Sequence, residues 1–151
     1  MPGKSCLMNK AIPCLAALFV CAVTTLAAAE PPRSAGNPII WADVPDMAMI
    51  RVGDTYYMSS TTMHLSPGVP IMKSKDLVNW QIVSYAYDVL DDVDALNLAN
   101  GKNSYGKGSW ASSLRYHHGA FYVSTFAQTT GKTYIFSTKD IEKGPWKISS
   151  F

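Results

Sequence analysis

The stretch Gly53–Ser59 (Gly-Asp-Thr-Tyr-Tyr-Met-Ser) decides the fold, because a similar order of residues returns at Gly119–Ser124 (Gly-Ala-Phe-Tyr-Val-Ser). In both stretches a turn glycine precedes a run of aromatic and β-branched residues, which is the pattern of a hairpin strand. Each copy is followed by a second apolar strand, a Ser/Lys/Asp turn and a strand that starts near Trp80 or Trp146. A four-strand unit that recurs indicates an all-β repeat fold and suggests the blades of a β-propeller.

Outward from these copies, the alternation of short apolar runs and turn residues predicts eight strands. The predicted strands are Ala48–Val52, Thr55–Thr61, Val69–Lys73, Trp80–Val83, Ser112–Tyr116, Ala120–Phe126, Tyr134–Thr138 and Trp146–Ser149. A long polar connection, Tyr85–Gly108, separates the two copies. Two unrelated hairpins could share turn chemistry, but the matching Ser/Lys/Asp-to-Trp segments favour a true repeat.

The first thirty residues have the layout of an export signal. Lys4 and Lys10 give a positive start, Ala11–Ala29 carries no charge, and three small residues precede Glu30. We expect residues 1–29 to be a cleaved signal peptide, residues 30–36 a Pro/Ser/Gly linker, and the protein to be secreted or periplasmic. The alternative is a permanent membrane anchor, for which this apolar run is near the shortest useful length of about 17 residues.

Cysteine and charge content exclude several classes of function. All three cysteines (Cys6, Cys14 and Cys21) lie in the predicted signal, so the rest of the chain offers no disulfide, no thiol nucleophile and no cysteine metal site. After residue 29 the chain has 11 basic and 11 acidic residues. This neutral balance argues against nucleic acid or a membrane as partner and favours a neutral substrate such as a carbohydrate. No cofactor is expected.

Two acids precede the first predicted strand and are candidates for chemistry. Asp43 or Asp46 could act as a general base on water, although an acid in a turn is the more common structural role. If the carbohydrate substrate is hydrolysed at a glycosidic bond, the enzyme also needs a second carboxyl group. In an inverting enzyme this group lies about 6.5–9.5 Å from the first. Asp76 and Asp140 occupy equivalent places in the two copies, so we interpret them as structural turn residues.

The remaining polar clusters show no metal motif. Asp88, Asp91, Asp92 and Asp94 lack the glycine and final glutamate of a calcium loop, and we interpret them as a solvated loop. His117 and His118 are adjacent, and on a strand their side chains would face opposite ways and could not chelate one ion.

Several segments together resemble glycoside hydrolase family 43. They are Asn37–Ile40, Pro45-Asp46, Ile50–Tyr57, Ser66–Ile71, Ser74–Trp80 and Trp110–Tyr116. In the last segment Ser112 stands where the family has proline. The combination is specific, although no single piece is.

The resemblance implies a five-bladed β-propeller, of which about two blades fit in residues 37–151. It implies an inverting glycosidase of the β-xylosidase or α-L-arabinofuranosidase type, acting on arabinoxylan or arabinan oligosaccharides. Asp46, but not Asp43, matches the position of the family's general base. Trp110 matches an aromatic residue that lines the sugar pocket, and Met63 falls where some relatives place a hydrophobic wall.

The family's second aspartate and its general acid, a glutamate, belong to later segments than the ones matched here. We therefore expect the chain to be the N-terminal part of a longer enzyme and to be inactive in isolation. The alternative is a non-catalytic sugar-binding propeller module, which would keep the aromatic residues and lack the acid. A sialidase-type propeller is disfavoured, because Val78 replaces the usual glycine of its turn and the arginines are few.

Overall fold

Eight β-strands make up the regular structure of residues 35–64 and 66–151, the part of the chain that the computed structural model describes. They are β1 (Ala48–Val52), β2 (Thr55–Ser59), β3 (Gly68–Ser74), β4 (Gln81–Tyr87), β5 (Ser113–His117), β6 (Ala120–Ala127), β7 (Lys132–Thr138) and β8 (Lys147–Ser150). The predicted signal peptide, residues 1–29, lies outside the described residues.

The strands form two four-stranded antiparallel sheets, ordered β1-β2-β3-β4 and β5-β6-β7-β8. Each strand pairs with the next one along the chain, so each sheet is a simple meander. The predicted all-β class and the predicted repeat of a four-strand unit are both confirmed.

Three strand limits differ from the sequence-based prediction by two residues or more: the ends of β2 and β4 and the start of β7. The other differences are of one residue. Strand β4 continues to Tyr87, because Ala86 and Tyr87 are buried and this end of the strand still pairs with β3. Strand β2 ends at Ser59 instead of Thr61, although the Ser60 N–H still donates to the Pro70 carbonyl at 3.2 Å. The hydroxyl groups of Ser60 and Thr61 bond to the carbonyls of Pro45 and Ser109 in neighbouring loops.

The Ser/Lys/Asp turns are structural, as predicted. The carboxylate of Asp76 accepts the backbone N–H groups of Val78 and Asn79, at 2.9 and 2.7 Å. Asp140 accepts those of Glu142 and Lys143, at 3.0 and 3.1 Å. The same turn chemistry therefore closes the β3–β4 hairpin and the β7–β8 hairpin.

The hydrophobic core lies between the two sheets. Ile71 of the first sheet and Val123 and Phe136 of the second are fully buried in one cluster. Aromatic pairs cross the interface: Tyr57 meets Phe121 edge-on at 5.4 Å, and Tyr87 stacks on Phe136 at 5.6 Å between ring centroids. Such aromatic pairs stabilise the interface between the sheets beyond the burial of their apolar area.

The two sheet faces that point away from this core are also apolar. On the first sheet four directly paired residues form what we term the methionine row: Met49, Met58, Met72 and Ile82. On the second sheet Tyr122, Phe126 and Ile135 share one face, termed the aromatic row, and each is more than a third exposed. Each outer face therefore carries large apolar side chains, although on the second sheet they are paired with Ser124, Thr133 and Ser137.

Two expectations about polar residues were wrong. The rings of His117 and His118 do not point apart but meet at 3.8 Å between centroids, because His118 adopts a left-handed φ of 46° in the turn after β5. Asp91 is not merely solvated: it accepts Lys132 Nζ at 2.8 Å and the Tyr134 hydroxyl at 3.0 Å, which ties the long connection to β7.

Candidate functional site

Asp46 lies two residues before β1, in a loop that is anchored by a hydrogen bond from Ser60. Its side chain is exposed, and its backbone has a φ of 51°, in the left-handed region. The carbonyl of the preceding residue, Pro45, accepts a 2.6 Å hydrogen bond from the hydroxyl of Ser60. Because Ser60 is 2% exposed, this bond fixes the loop to the body of the first sheet.

Ser60 belongs to a segment of three buried hydroxyl residues, Ser59–Thr61, which we term the hydroxyl segment. Its members are 0, 2 and 3% exposed. Thr61 donates a short hydrogen bond to the carbonyl of Ser109, and Ser59 accepts one of 2.8 Å from the hydroxyl of Ser112. Because hydroxyls buried at this depth need partners, the segment holds its neighbours firmly in place.

Trp110 lies between Ser109 and Ser112 in the chain, the two residues before β5 that the hydroxyl segment contacts. Its backbone N–H donates to the carbonyl of Phe126 at 2.8 Å, and its carbonyl accepts from Thr125 at 2.7 Å. These bonds fix the backbone while the indole stays 42% exposed. A rigid, partly exposed aromatic side chain is a suitable surface for a sugar ring.

Met63 lies next to the same loop. Its N–H donates to the Thr61 hydroxyl at 3.0 Å, and its carbonyl accepts the N–H of Gly108 at 2.5 Å. A Cβ at position 108 would come within 2.5 Å of that carbonyl oxygen, so only glycine allows this approach. Met63 is therefore held beside the loop that carries Trp110.

The structure brings the three sequence-predicted site residues to one edge of the molecule. Ser59 pairs with Ala48 at the start of β1, and Ser112 directly precedes β5. The hydrogen bond between these serines shows that β1 and β5, which pack side by side, start at the same edge. The site thus combines an exposed carboxylate, an aromatic ring and an apolar thioether, a set that can accept a proton and bind a neutral ring.

Glu142 does not belong to this site, although it is the one glutamate of the described residues. It accepts Lys73 Nζ at 2.5 Å and the Tyr57 hydroxyl at 3.1 Å, which links the two sheets. The Lys73 ammonium holds the pKa of Glu142 below its usual range, and burial, with Glu142 nearby, raises the pKa of Tyr57. A carboxyl group kept ionised in this way is unsuited to donate a proton as a general acid.

Other features of the described region bear on the site only indirectly. A cleft of about 480 Å³ lies between β4 and the β7–β8 loop and does not include Asp46 or Trp110. Over residues 35–64 and 66–151, no three acidic or histidine side chains cluster as metal ligands would. Within the same ranges, no helix has the length and hydrophobicity needed to cross a bilayer.

The sequence did not reveal the hydroxyl segment as part of the site. Ser59, Ser60 and Thr61 read as the end of a strand, and serine and threonine are common at such places. The available signal was an unbroken run of four hydroxyl residues, Ser59–Thr62, that begins at the last residue of β2.

Comparison with known proteins places the chain in a class, the glycoside hydrolases. The model of the family described as "Glycosyl hydrolases family 43" matches residues 35–149, and the chain belongs to that family. The resemblance drawn from the sequence motifs is thereby confirmed.

The relatives include enzymes named for xylose and arabinose release. The chain is 43% identical over 110 residues to a "Beta-xylosidase" of Formosa agariphila, which covers 73% of the chain and 18% of that protein. It is 35% identical to a "Non-reducing end alpha-L-arabinofuranosidase" of Bacteroides ovatus, over 73% of the chain and 20% of that protein.

Among solved structures, the "Bifunctional GH43-CE" of Bacteroides eggerthii is 70% identical, with a TM-score of 0.75. The match covers 78% of this chain and 15% of that one. The chain therefore spans about a fifth or less of the length of these proteins.

Proposed function

We propose that the chain supplies the general base of an inverting glycoside hydrolase that removes xylose or arabinofuranose units from plant oligosaccharides. One observation carries the proposal. The hydroxyl segment binds both the loop of Asp46 and the loop of Trp110, so a carboxylate and a sugar-binding ring are held at one edge. The names of the relatives support this substrate class.

In this mechanism Asp46 removes a proton from the attacking water, while Trp110 and Met63 contact the sugar ring. An inverting enzyme also needs an acid about 6.5–9.5 Å from the base, to protonate the leaving oxygen. Because Glu142 is paired with Lys73, we assign the acid, and an aspartate that orients the base, to further segments of the natural protein.

We propose that these further segments complete a five-bladed β-propeller, with the two sheets described above as adjacent blades. The apolar outer faces support this arrangement. In a propeller each blade packs against a neighbour on both sides, so both faces of a sheet are apolar. The methionine row and the aromatic row would then be covered by flanking blades. We further propose that the protein is exported, on the strength of the signal-like residues 1–29.

Replacement of the base tests the proposal. In the natural protein that carries this chain, Asp46→Asn is expected to lower kcat on xylosides or arabinofuranosides by about 100-fold or more, because general-base catalysis contributes 10²–10⁴-fold. The matched control is Asp43→Asn, an exposed acid three residues away that is expected to retain near-wild-type activity.

The product distinguishes the rival functions. NMR of the first product formed should show inverted anomeric configuration. Equal loss of activity in both variants, or a retained configuration, would contradict the assignment of Asp46. A natural protein that binds the sugars without any turnover would instead be a non-catalytic binding module.

A further inference from the structure

The long connection between the two sheets contains a tight turn with a chemically reactive sequence. The turn spans residues 99–102 and is closed by a 2.9 Å hydrogen bond from the Lys102 N–H to the Ala99 carbonyl. Its central residues, Asn100 and Gly101, have φ angles of 51° and 70°, which is the pattern of a type I′ turn. Asn-Gly is a favoured pair in such turns, because both residues tolerate the left-handed conformation. Both residues are exposed, so the pair is open to water.

The backbone nitrogen of Gly101 is placed to react with the side chain before it. Asparagine is a thermolabile residue, because the backbone nitrogen that follows it can attack its side-chain amide carbon. Glycine permits this attack best, since it has no side chain in the way. A Cβ at position 101 would meet no atom within 4 Å, so the surroundings are open. Over residues 35–64 and 66–151, the Gly101 N–H donates no hydrogen bond, because the Lys102 N–H closes the turn instead.

We propose that Asn100 is a site of spontaneous deamidation. The Gly101 nitrogen forms a bond to Asn100 Cγ, the bond from Cγ to Nδ2 breaks, and ammonia leaves with the proton of the Gly101 N–H. Water then opens the resulting five-membered succinimide ring at either carbonyl, which gives aspartate or isoaspartate at position 100. The net change is the gain of one water and the loss of one ammonia. This inference does not depend on the proposed function.

The product disturbs the contacts that anchor this part of the connection. Asn100 Nδ2 donates to Asp94 Oδ2 at 3.2 Å, and Lys102 Nζ donates to the same oxygen at 2.8 Å. The hydrogen bond from Lys102, and after it the one from Asn100, hold the pKa of the Asp94 carboxyl below its usual range. A carboxylate at position 100 therefore removes one donor from Asp94 and places a like charge beside it. Isoaspartate also lengthens the backbone of the turn.

The other asparagines of the described residues lack this combination and serve as internal controls. Each precedes a residue whose side chain hinders attack or, at Pro38, a residue without an N–H. The amides of Asn79 and Asn97 also donate hydrogen bonds of 2.7 Å to aspartates, shorter than the bond of Asn100. The reaction is therefore expected to be selective for Asn100.

The test follows isoaspartate in the natural protein that carries this chain. After incubation of the folded protein at mildly alkaline pH, peptide mapping by mass spectrometry should show deamidation first at Asn100, with isoaspartate and aspartate both present. Isoaspartate identifies the ring intermediate, because direct hydrolysis of the amide yields aspartate only. Asn79 and Asn97 lie in the same tryptic peptide, residues 76–102, and should stay intact over the same period.

Two variants separate this chemistry from general ageing of the protein. Asn100→Gln keeps an amide but requires a less favourable six-membered ring, and should give no isoaspartate-type product at this position. Asn100→Asp carries the charge of the product and should migrate with the aged wild-type protein on isoelectric focusing. Deamidation at Asn79 or Asn97 before Asn100 would overturn the assignment. So would an unmodified Asn100 in the folded protein under conditions in which the urea-unfolded protein reacts there.

Discussion

Asp46 and Met63 share an unusual backbone conformation at either end of the candidate site. Their φ angles are 51° and 52°, in the left-handed region that costs a non-glycine residue about 1–2 kcal/mol. Such strain persists only where surrounding bonds determine the conformation, and it concentrates at functional sites. Here those bonds come from Ser60 and Thr61, so the buried hydroxyls hold two strained positions of the candidate site.

Thr61→Val tests this role at the scale of one residue. Valine keeps the shape of the side chain but removes the hydroxyl that donates to the Ser109 carbonyl and accepts from Met63 N–H. Because both backbone groups lose a partner, we expect a loss of about 1–3 kcal/mol in unfolding free energy, measured with urea. In the natural protein that carries this chain, the same variant should also show lower turnover of xylosides or arabinofuranosides, because the Trp110 loop is no longer held.

Two controls accompany that measurement. Thr61→Ser keeps the hydroxyl and should recover most of the stability and activity. Thr133→Val changes an exposed threonine on β7 and should shift the unfolding free energy by less than about 0.5 kcal/mol. A Thr61→Val protein as stable as wild type would mean that the hydroxyl segment does not hold the two loops.

At this scale the sequence singled out the proposed base, Asp46, only through family resemblance. Spacing alone left Asp43 and Asp46 equivalent, because both precede the same strand. In the structure Ser60 binds the carbonyl of Pro45, next to Asp46. Such a contact joins residues 15 positions apart, and local sequence patterns carry no information about it.

The elements themselves were more predictable. All eight strands follow from alternating apolar residues and turn chemistry, and Asp76 and Asp140 were recognisable as turn residues. The errors fall at strand ends, as with β4, because an end is set by tertiary burial instead of local preference. The extension of β4 to Tyr87 depends on a ring stacked against Phe136 of the other sheet.

The contact of Lys73 and Glu142 between the sheets leads to a prediction about pH. The pKa of Glu142 is held below its usual value of about 4.5, chiefly by the hydrogen bond from the Lys73 ammonium. A carboxylate with a lowered folded-state pKa contributes stability above its unfolded pKa, and that contribution is lost as pH falls through the folded value. The free energy of unfolding should therefore decline below about pH 4.5. The measurement is the denaturant midpoint of unfolding at pH values from 7 to 3.

Glu142→Gln should flatten part of that decline, because glutamine does not titrate. The double variant with Lys73→Met should cost less than the two single changes added together, since both remove one interaction. Strictly additive effects, or an unchanged pH profile for Glu142→Gln, would show that the pair does not link the two sheets energetically.

At the scale of the molecule, the proposed location of the general acid in further segments leads to a further prediction. The 151-residue chain expressed alone is expected to show no turnover of aryl xylosides or aryl arabinofuranosides, because the proposed acid lies in other segments. The measurement is release of the aryl group at high protein concentration, with the Formosa agariphila β-xylosidase as positive control. Turnover by the chain alone, abolished in Asp46→Asn, would refute the assignment of the acid to further segments.

The meander order of both sheets also has a consequence for folding. Every strand pairs with its immediate neighbour in the chain, so each sheet forms from contacts of short sequence separation, which close quickly. The docking of β1 against β5 joins more distant parts of the chain and is therefore the slower step. Assembly is therefore expected to run from strand pairing within each sheet to docking between the sheets.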